Sequence, residues 1–459
     1  MIRRFDAIVI GAGQAGSPLA VRLAGAGMEV AIIERHLVGG TCVNTGCMPT
    51  KTLVASAYAA HLARRAADYG VVISGPVGVD MEKVRARALA VAHNAHDNVV
   101  KWLEGAERVT LIHGHARFIG PDSIEVNGET LTAGKVFINV GGRATVPDMP
   151  GVRDISTMTN TTILELGELP RHLAVIGGSY IGLEYAQIYR RFGAQVTVIE
   201  KGSRIVGRED GRVSADIQAI LEAEGIAFRL DAECIGFAPH DEGALVHVDC
   251  DSGDRAVVAS HVLLAVGRRP NTDDLGLDAA GVAIDPRGNI VVDDELRTNV
   301  PGIWAMGDCN GRGAFTHTSY NDFEIIAENL LDGASRRLSD RISCYALFTD
   351  PPLARIGLSR DEALKQGRRI KVGERPMTRV GRAVEKGESQ GFMQIVVDAE
   401  SDAILGATIL GIGGDEAIHC ILDLMYAGAP ADRLRRSVHI HPTVAELLPT
   451  IAGELKPVA

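Results

Sequence analysis

Residues 5–10, FDAIVI, form a short apolar run that ends at glycine, the pattern of a strand buried on both faces. GAGQAG follows, then the helical stretch SPLAVRLAGAG and a second apolar run, EVAIIE, ending at Glu34. The pattern predicts a strand–helix–strand unit with Gly11, Gly13 and Gly16 at G-x-G-x-x-G spacing. In such a loop Gly11 turns the chain, Gly13 lets a pyrophosphate approach backbone, and Gly16 lets helix pack on strand. The helix N-terminus receives the phosphates, and Glu34 can accept a ribose hydroxyl.

The pattern recurs. HLAVIGGSYIG carries Gly177, Gly178 and Gly182, and QVTVIE ends at Glu200. Each unit closes on a similar run, VFINVGGR at 136–143 with Gly141 and VLLAVGRR at 262–269 with Gly267. The first unit is longer by about forty residues, and it holds the stretch GGTCVNTGCMPTKT, residues 39–52. Pro147 to Gly151 and RRPNT at 268–272 punctuate the boundaries. Beyond about residue 340 the pattern changes to alternating strands such as FMQIVVD followed by helices, which predicts an α+β domain. The fold class expected is α/β: two Rossmann-like dinucleotide-binding domains plus an α+β C-terminal domain.

Composition narrows the function. The chain has 459 residues, 46% hydrophobic and 23% charged, an ordinary globular balance. Its net charge of −11, from 47 basic and 58 acidic residues, argues against a nucleic-acid surface or a basic membrane patch. No apolar run approaches the ~20 residues of a membrane span. The start, MIRRFDAIVIGAGQAG, mimics a signal peptide, but its apolar core is short and Asp6 interrupts it, so a cytoplasmic location is expected. Of the seven cysteines, only Cys42 and Cys47 are close together, the others being 234, 250, 309, 344 and 420. In a reducing compartment such a pair is more often catalytic than structural.

A metal clip fits this pair poorly. A plant-type iron–sulfur run needs a cysteine where Thr50 stands, and structural zinc needs four ligands, so no metal site is expected. A redox pair fits better, because the following TLVASAYAAHLARRA is helical and a thiolate near its start is favoured, with a pKa drawn from ~8.5 toward ~3.5–7.5. Two dinucleotide sites beside a dithiol imply electron transfer between cofactors. A flavin can exchange electrons with both nicotinamide and disulfide, which places FAD at the first site and NAD(P)H at the second.

Together GGTCVNTGCMPTKT, both glycine motifs, WAMGDC at 304–309 and HIHPTVAELLP at 439–449 resemble the pyridine nucleotide-disulfide oxidoreductases. The resemblance covers essentially the whole chain. FTHTSYNDFEIIAENLLDG, LFTDPPLARIGL and GRAVEKGESQGFM are most similar to the mercuric-reductase-like branch, with dihydrolipoamide dehydrogenase and a copper(II)-reducing oxidative-stress flavoenzyme as alternatives. Mercuric reductases carry a vicinal cysteine pair at the C-terminus, whereas the last cysteine of this sequence is Cys420. The resemblance implies a FAD-binding part at 1–147, an NAD(P) domain at 148–268, a central FAD-binding segment at 269–340 and a dimer-interface domain at 341–459.

It also implies the site. Cys42 would attack substrate, and Cys47 would face the flavin as the charge-transfer thiolate. Lys51 would lie near the flavin N5 and pair with Glu184. His441, oriented by Glu446 in the first turns of the next helix, would move protons at the disulfide of the other subunit, making the protein an obligate homodimer with shared active sites. FAD would be held by Gly11, Gly13, Gly16, Glu34, Gly40, Thr41, Lys51, Gly141, Asp308 at the end of the GIWAMGD strand, Thr316 and His317. The last two open a helix whose backbone would stabilise negative charge on the reduced ring. NAD(P)H would be held by Gly177, Gly178, Tyr180, Ile181, Gly182, Glu200 and Gly267, with Tyr180 covering the nicotinamide pocket or simply packing. Electrons would pass from NAD(P)H through FAD to the Cys42–Cys47 disulfide and on to a small-molecule or metal-ion acceptor. Glu200 disfavours a 2′-phosphate, so NADH is the favoured donor; two unit charges at 4 Å cost ~4 kcal/mol at an effective dielectric of ~20.

Overall fold

The computed structural model describes residues 2–232, 235–248 and 256–458. Cys234 and Cys250 lie outside the described residues. Two five-stranded parallel sheets repeat one arrangement. In the first the order is Ile303–Ala305, Val136–Ile138, Ala7–Ile10, Val30–Glu34, Val109–His113. In the second it is Thr157–Met158, His261–Leu264, His172–Ile176, Gln195–Ile199, Ala227–Arg229. The central strand Ala7–Ile10 is buried throughout and His172–Ile176 is buried beyond its first residue, as helices covering both faces require. The glycine loops leave the carboxyl ends of the strands Ala7–Ile10 and His172–Ile176, where doubly wound sheets bind ligands.

The first sheet is completed from a distance, because its edge strand Ile303–Ala305 follows the whole second sheet in the chain. An antiparallel pair, Gly142–Ala144 with Arg268–Pro270, joins the outgoing and returning connections. The surplus length of the first unit is largely two long helices, Cys47–Arg64 and Met81–Glu104. They pack on each other, and Cys47–Arg64 reaches the second unit through its helix Tyr180–Phe192.

The last part is a six-stranded antiparallel sheet, ordered Cys344–Leu347, Leu353–Gly357, Ile404–Leu410, Phe392–Asp398, Ile370–Pro376, Lys456–Val458. Short helices cover it around a separate core that includes Ile356, Met393, Ile395, Ile409 and Ile421. Among the described residues no helix is long and apolar enough to cross a membrane.

Candidate active site

Both glycine loops open into one cleft of 3020 Å³, which runs from Glu34 past the cysteines to Glu200. That exceeds the roughly 300–1,000 Å³ of a site for one small ligand and suits two dinucleotides laid end to end. Gly11 has φ +101°, and a Cβ there would lie 2.2 Å from Asn139 O. Gly177 has φ +110°, and a Cβ would lie 2.4 Å from Ala265 O. Gly16 and Gly182 leave no room for a Cβ, which would fall 2.0 Å and 2.1 Å from Gly11 O and Gly177 O. These are the close approaches a dinucleotide loop needs. The acidic residues act alike too. Glu34 accepts from Ala12 N at 2.9 Å and His36 N at 2.8 Å. Glu200 accepts from Gly178 N at 2.6 Å and Gly202 N at 2.7 Å.

Gly39 and Gly40, at φ +92° and +65°, turn the chain from the first unit into the cysteine stretch. Cys42 falls in the short helix Gly40–Asn44, and Cys47 is the first residue of the long helix Cys47–Arg64. Both are free thiols. Their environments pull them apart. A hydrogen bond from Cys42 holds the Cys47 thiol down at about 6 against its burial, with Thr316 and Lys51 adding to the effect. The same hydrogen bond, with burial, pushes Cys42 well above the usual thiol range. Between the two, these directions favour negative charge on Cys47 and a proton on Cys42. The lowering comes from named neighbours, more specific than the helix-start effect expected from the sequence.

Thr316 Oγ1 lies 3.3 Å from Cys47 Sγ, and Thr316 begins the helix Thr316–Leu331. Its neighbour His317 turns aside, with Nε2 2.7 Å from Cys344 O and its ring stacked on Phe315. Lys51 Nζ lies 2.7 Å from Glu184 Oε2. Glu184 is buried, and its other oxygen accepts from Phe348 N at 3.0 Å, so the carboxylate is fixed from two sides. Lys51 Nζ also stands 4.7 Å above the Phe348 ring, a cation–π contact.

Comparison with known families identifies residues 5–322 with the pyridine nucleotide-disulphide oxidoreductase model, and residues 343–452 with the dimerisation domain of the same name. The chain belongs to this family. It is an FAD-dependent oxidoreductase that uses a pyridine nucleotide, and it carries the family's dimerisation domain. The probable pyridine nucleotide-disulfide oxidoreductase RclA of Escherichia coli is 34% identical over 460 residues, covering 97% of this chain and 98% of the relative. The dihydrolipoyl dehydrogenase of Thermus scotoductus is 35% identical, covering 99% and 98%. The mercuric reductase of Streptomyces lividans is 32% identical, covering 97% and 94%. Among solved structures, the Cu(II) complex of the HOCl-induced flavoprotein disulfide reductase RclA from Escherichia coli superposes with a TM-score of 0.90. It is 33% identical and covers 98% of this chain and 99% of that one.

The glycine cradles fit the family's two cofactors. Gly141, Asp308, Gly40 and Thr41 line the first half of the cleft, and Ile181 and Gly267 the second. Three local expectations need correction. The strand before Asp308 stops at Ala305, and Asp308 sits in a 3₁₀ turn, Gly307–Asn310, where Gly307 takes φ +76°. Burial raises the Asp308 carboxyl, and Arg268 at 3.8 Å opposes this. In the second loop the residue at the place of Gly13 is Ser179, so Gly178 matches Ala12 rather than a motif glycine. Glu446 lies in the 3₁₀ turn Ala445–Leu447, and the helix proper, Leu448–Gly453, starts after it because Pro449 favours a helix's first turn.

His441 Nδ1 is 2.7 Å from Glu446 Oε2, but the imidazole is 81% exposed and neither residue lines the cleft of its own chain. The pair and the cysteines are not brought together within one chain. His439 is occupied, with Nδ1 2.6 Å from Ala445 O and Nε2 3.1 Å from Ser437 Oγ.

Sequence reading missed Asn139. Its Oδ1 accepts from Gly16 N at 2.9 Å, and its Nδ2 donates to Met306 O at 3.0 Å, tying the glycine helix to the approach to Asp308. The available signal was one polar residue in the apolar run VFINV. Asp322 was missed as well. It holds the Asp308 turn by accepting from Gly307 N at 2.8 Å and Asn310 Nδ2 at 3.0 Å.

Proposed function

We propose that this enzyme takes electrons from NADH, at Gly177–Glu200, and delivers them through the Cys42–Cys47 pair to a thiophilic metal ion or disulfide, most like a mercuric-reductase-like enzyme. One observation carries the reading: a thiolate, Cys47, held beside a protonated thiol, Cys42, midway along a cleft with a glycine loop at each end. FAD, held by the first loop with Gly40, Thr41, Asp308 and the Lys51–Glu184 pair beside it, supplies two-electron transfer between nicotinamide and sulfur when bound. The chain's own residues supply the rest. Opening the Cys42–Cys47 disulfide consumes two electrons and, with Cys47 kept as thiolate, one proton, which goes to Cys42. His441, oriented by Glu446, is the proton carrier, acting on the cysteines of the second subunit of a homodimer. Lys51 holds positive charge near Cys47. Thr316 offers its hydroxyl and the start of its helix to the same thiolate.

The NADH preference rests on Glu200, whose carboxylate points at the loop backbone where a 2′-phosphate would crowd it. Lys201 and Arg208 line the same end and soften the effect. The metal-ion preference is supported by the likeness to mercuric reductase and to an RclA structure that holds Cu(II). The likeness to dihydrolipoyl dehydrogenases, at comparable identity, favours a second reading in which a dithiol is oxidised, as a free enzyme or a complex subunit. A cytoplasmic location suits either. Steady-state assays with NADH against Hg(II), Cu(II), lipoamide, glutathione disulfide and quinones decide between them. Turnover with the metal ions is expected, and turnover with lipoamide alone would overturn the preference.

A further inference from the structure

His441 stands on a loop, residues 438–444, that the C-terminal domain holds only lightly. Val438, Ile440 and the His441 imidazole are all strongly exposed. His439 and Thr443 bond to near neighbours in sequence, Ser437, Ala445 and Ile440. Among the described residues one hydrogen bond reaches this loop from another element. Arg382 Nη2 donates to Pro442 O at 2.7 Å, one residue from His441. Glu446 takes the imidazole at Nδ1, which leaves Nε2 to carry a proton outward. The carboxylate therefore sets how the ring is turned, and the carbonyl at Pro442 is where the loop itself is pinned.

Arg382 is held in its turn. It lies on the short helix Gly381–Glu385, which is anchored by the buried Ala383. Its Nε lies 3.1 Å from Glu385 Oε2. The turn that follows is gripped by the helix that begins at Cys47 and by the residue just after it. Tyr58 Oη donates to Glu388 Oε1 at 2.6 Å, and Arg65 Nη2 donates to Gly387 O at 2.9 Å. Gly381 lies against the same pair as His441 does, since a Cβ there would be 3.7 Å from Glu446 Oε1. A guanidinium donating to a carbonyl makes a charge-assisted bond, roughly twice as strong as a neutral one.

We propose that Arg382 is a positioning residue for His441: by holding Pro442 O it sets where the imidazole stands relative to the cysteines of the second subunit. The proposal rests on the reading of His441 as the proton carrier of a shared site. Arg382 acts through the loop and moves no proton itself, because a guanidinium stays protonated.

The test is a double-mutant cycle on NADH oxidation by the full-length, FAD-loaded protein, with whichever of Cu(II) and lipoamide the unaltered protein reduces faster. A group misplaced by about 1 Å can lose roughly a hundredfold in rate, so Arg382→Met should cut turnover by roughly tenfold to a hundredfold. Arg382→Lys keeps a donor for Pro442 O and should recover most of that loss. In a His441→Gln background Arg382→Met should cost little more, because no imidazole remains to be placed. Equal losses in both backgrounds would overturn the proposal, since they would mark a general structural effect. An unchanged rate in Arg382→Met, or a lysine no better than methionine, would overturn it too. A His441→Gln protein that turns over at the unaltered rate would instead sink the reading of His441 as proton carrier.

Discussion

The two nucleotide loops share their backbone and differ in one side chain beneath it. Asn139 N and Ala265 N donate to equivalent carbonyls, Ile10 O and Ile176 O, both at 2.7 Å. Only the first places an amide under its loop, bonded to Gly16 N and Met306 O. A Cβ on Gly13 would lie 3.0 Å from Asn139 Oδ1, so a side chain there would crowd the amide. The second has Ser179 at that place over Ala265. The next position differs as well: Gln14 Nε2 donates to Gly39 O at 3.2 Å, whereas Tyr180 is tied to Glu209. The first unit is thus stitched to its own cysteine turn and to the Asp308 turn, as suits a resident cofactor. The second leaves its loop unstitched beneath, and its next residue is tied to Glu209 instead.

The largest effect should come from the segment only the first unit has. Cys42→Ser and Cys47→Ser are each expected to cut acceptor turnover by roughly 10⁴-fold or more, in line with removing the nucleophile of a catalytic unit. Steady-state assay with the best acceptor checks this. Residual turnover near the unaltered rate would detach the cysteines from the reaction and leave the insertion unexplained.

Making the first loop like the second is the next test. Asn139→Ala leaves Gly16 N and Met306 O without their buried partner and should cost about 1–3 kcal/mol, seen as weaker FAD retention and earlier denaturant unfolding. Gly13→Ser should also weaken FAD retention, by crowding the Asn139 amide. The double variant should recover part of the loss, since Ser179 and Ala265 coexist in the second loop. If the two losses simply add, Gly13 and Asn139 are not coupled.

At the second loop, Glu200→Ala removes the carboxylate that crowds a 2′-phosphate. The kcat/KM ratio of NADPH to NADH should rise by roughly tenfold, a fraction of the ~4 kcal/mol that two unit charges at 4 Å would cost. Loss of NADH activity without a changed ratio would make Glu200 only a brace for Gly178 and Gly202.

The smallest effect is a pH shift. Cys47 is lowered to about 6, so its charged form prevails above that pH and is lost as pH falls through it. Lys51→Met removes a favourable charge and should move that midpoint upward, followed by thiolate absorbance in the reduced enzyme. A downward move would contradict the part given to Lys51.

Much of this was legible in the sequence because the deciding contacts are local. The turn at Gly11, the 23-residue step to Glu34 and the Cys42–Cys47 spacing each lie within one strand–helix–strand unit. The Lys51–Glu184 pair is 133 residues apart and became legible only through resemblance. Asn139 left a trace as a polar residue in an apolar run. Arg382 left none, because its partner Pro442 is distant in the chain and an arginine alone reads as ordinary surface charge. The strand before Asp308 was read too long because WAMG is apolar throughout, whereas Gly307 at positive φ starts a 3₁₀ turn.

The account turns on Cys47 as the thiolate that receives electrons beside the flavin. Anaerobic titration of the unaltered protein and of Cys47→Ser with NADH, followed by visible absorbance, tests it most directly. A long-wavelength charge-transfer band is predicted in the unaltered protein at the two-electron stage, fading below about pH 6, and absent from Cys47→Ser. A band that persists in Cys47→Ser would contradict the assignment.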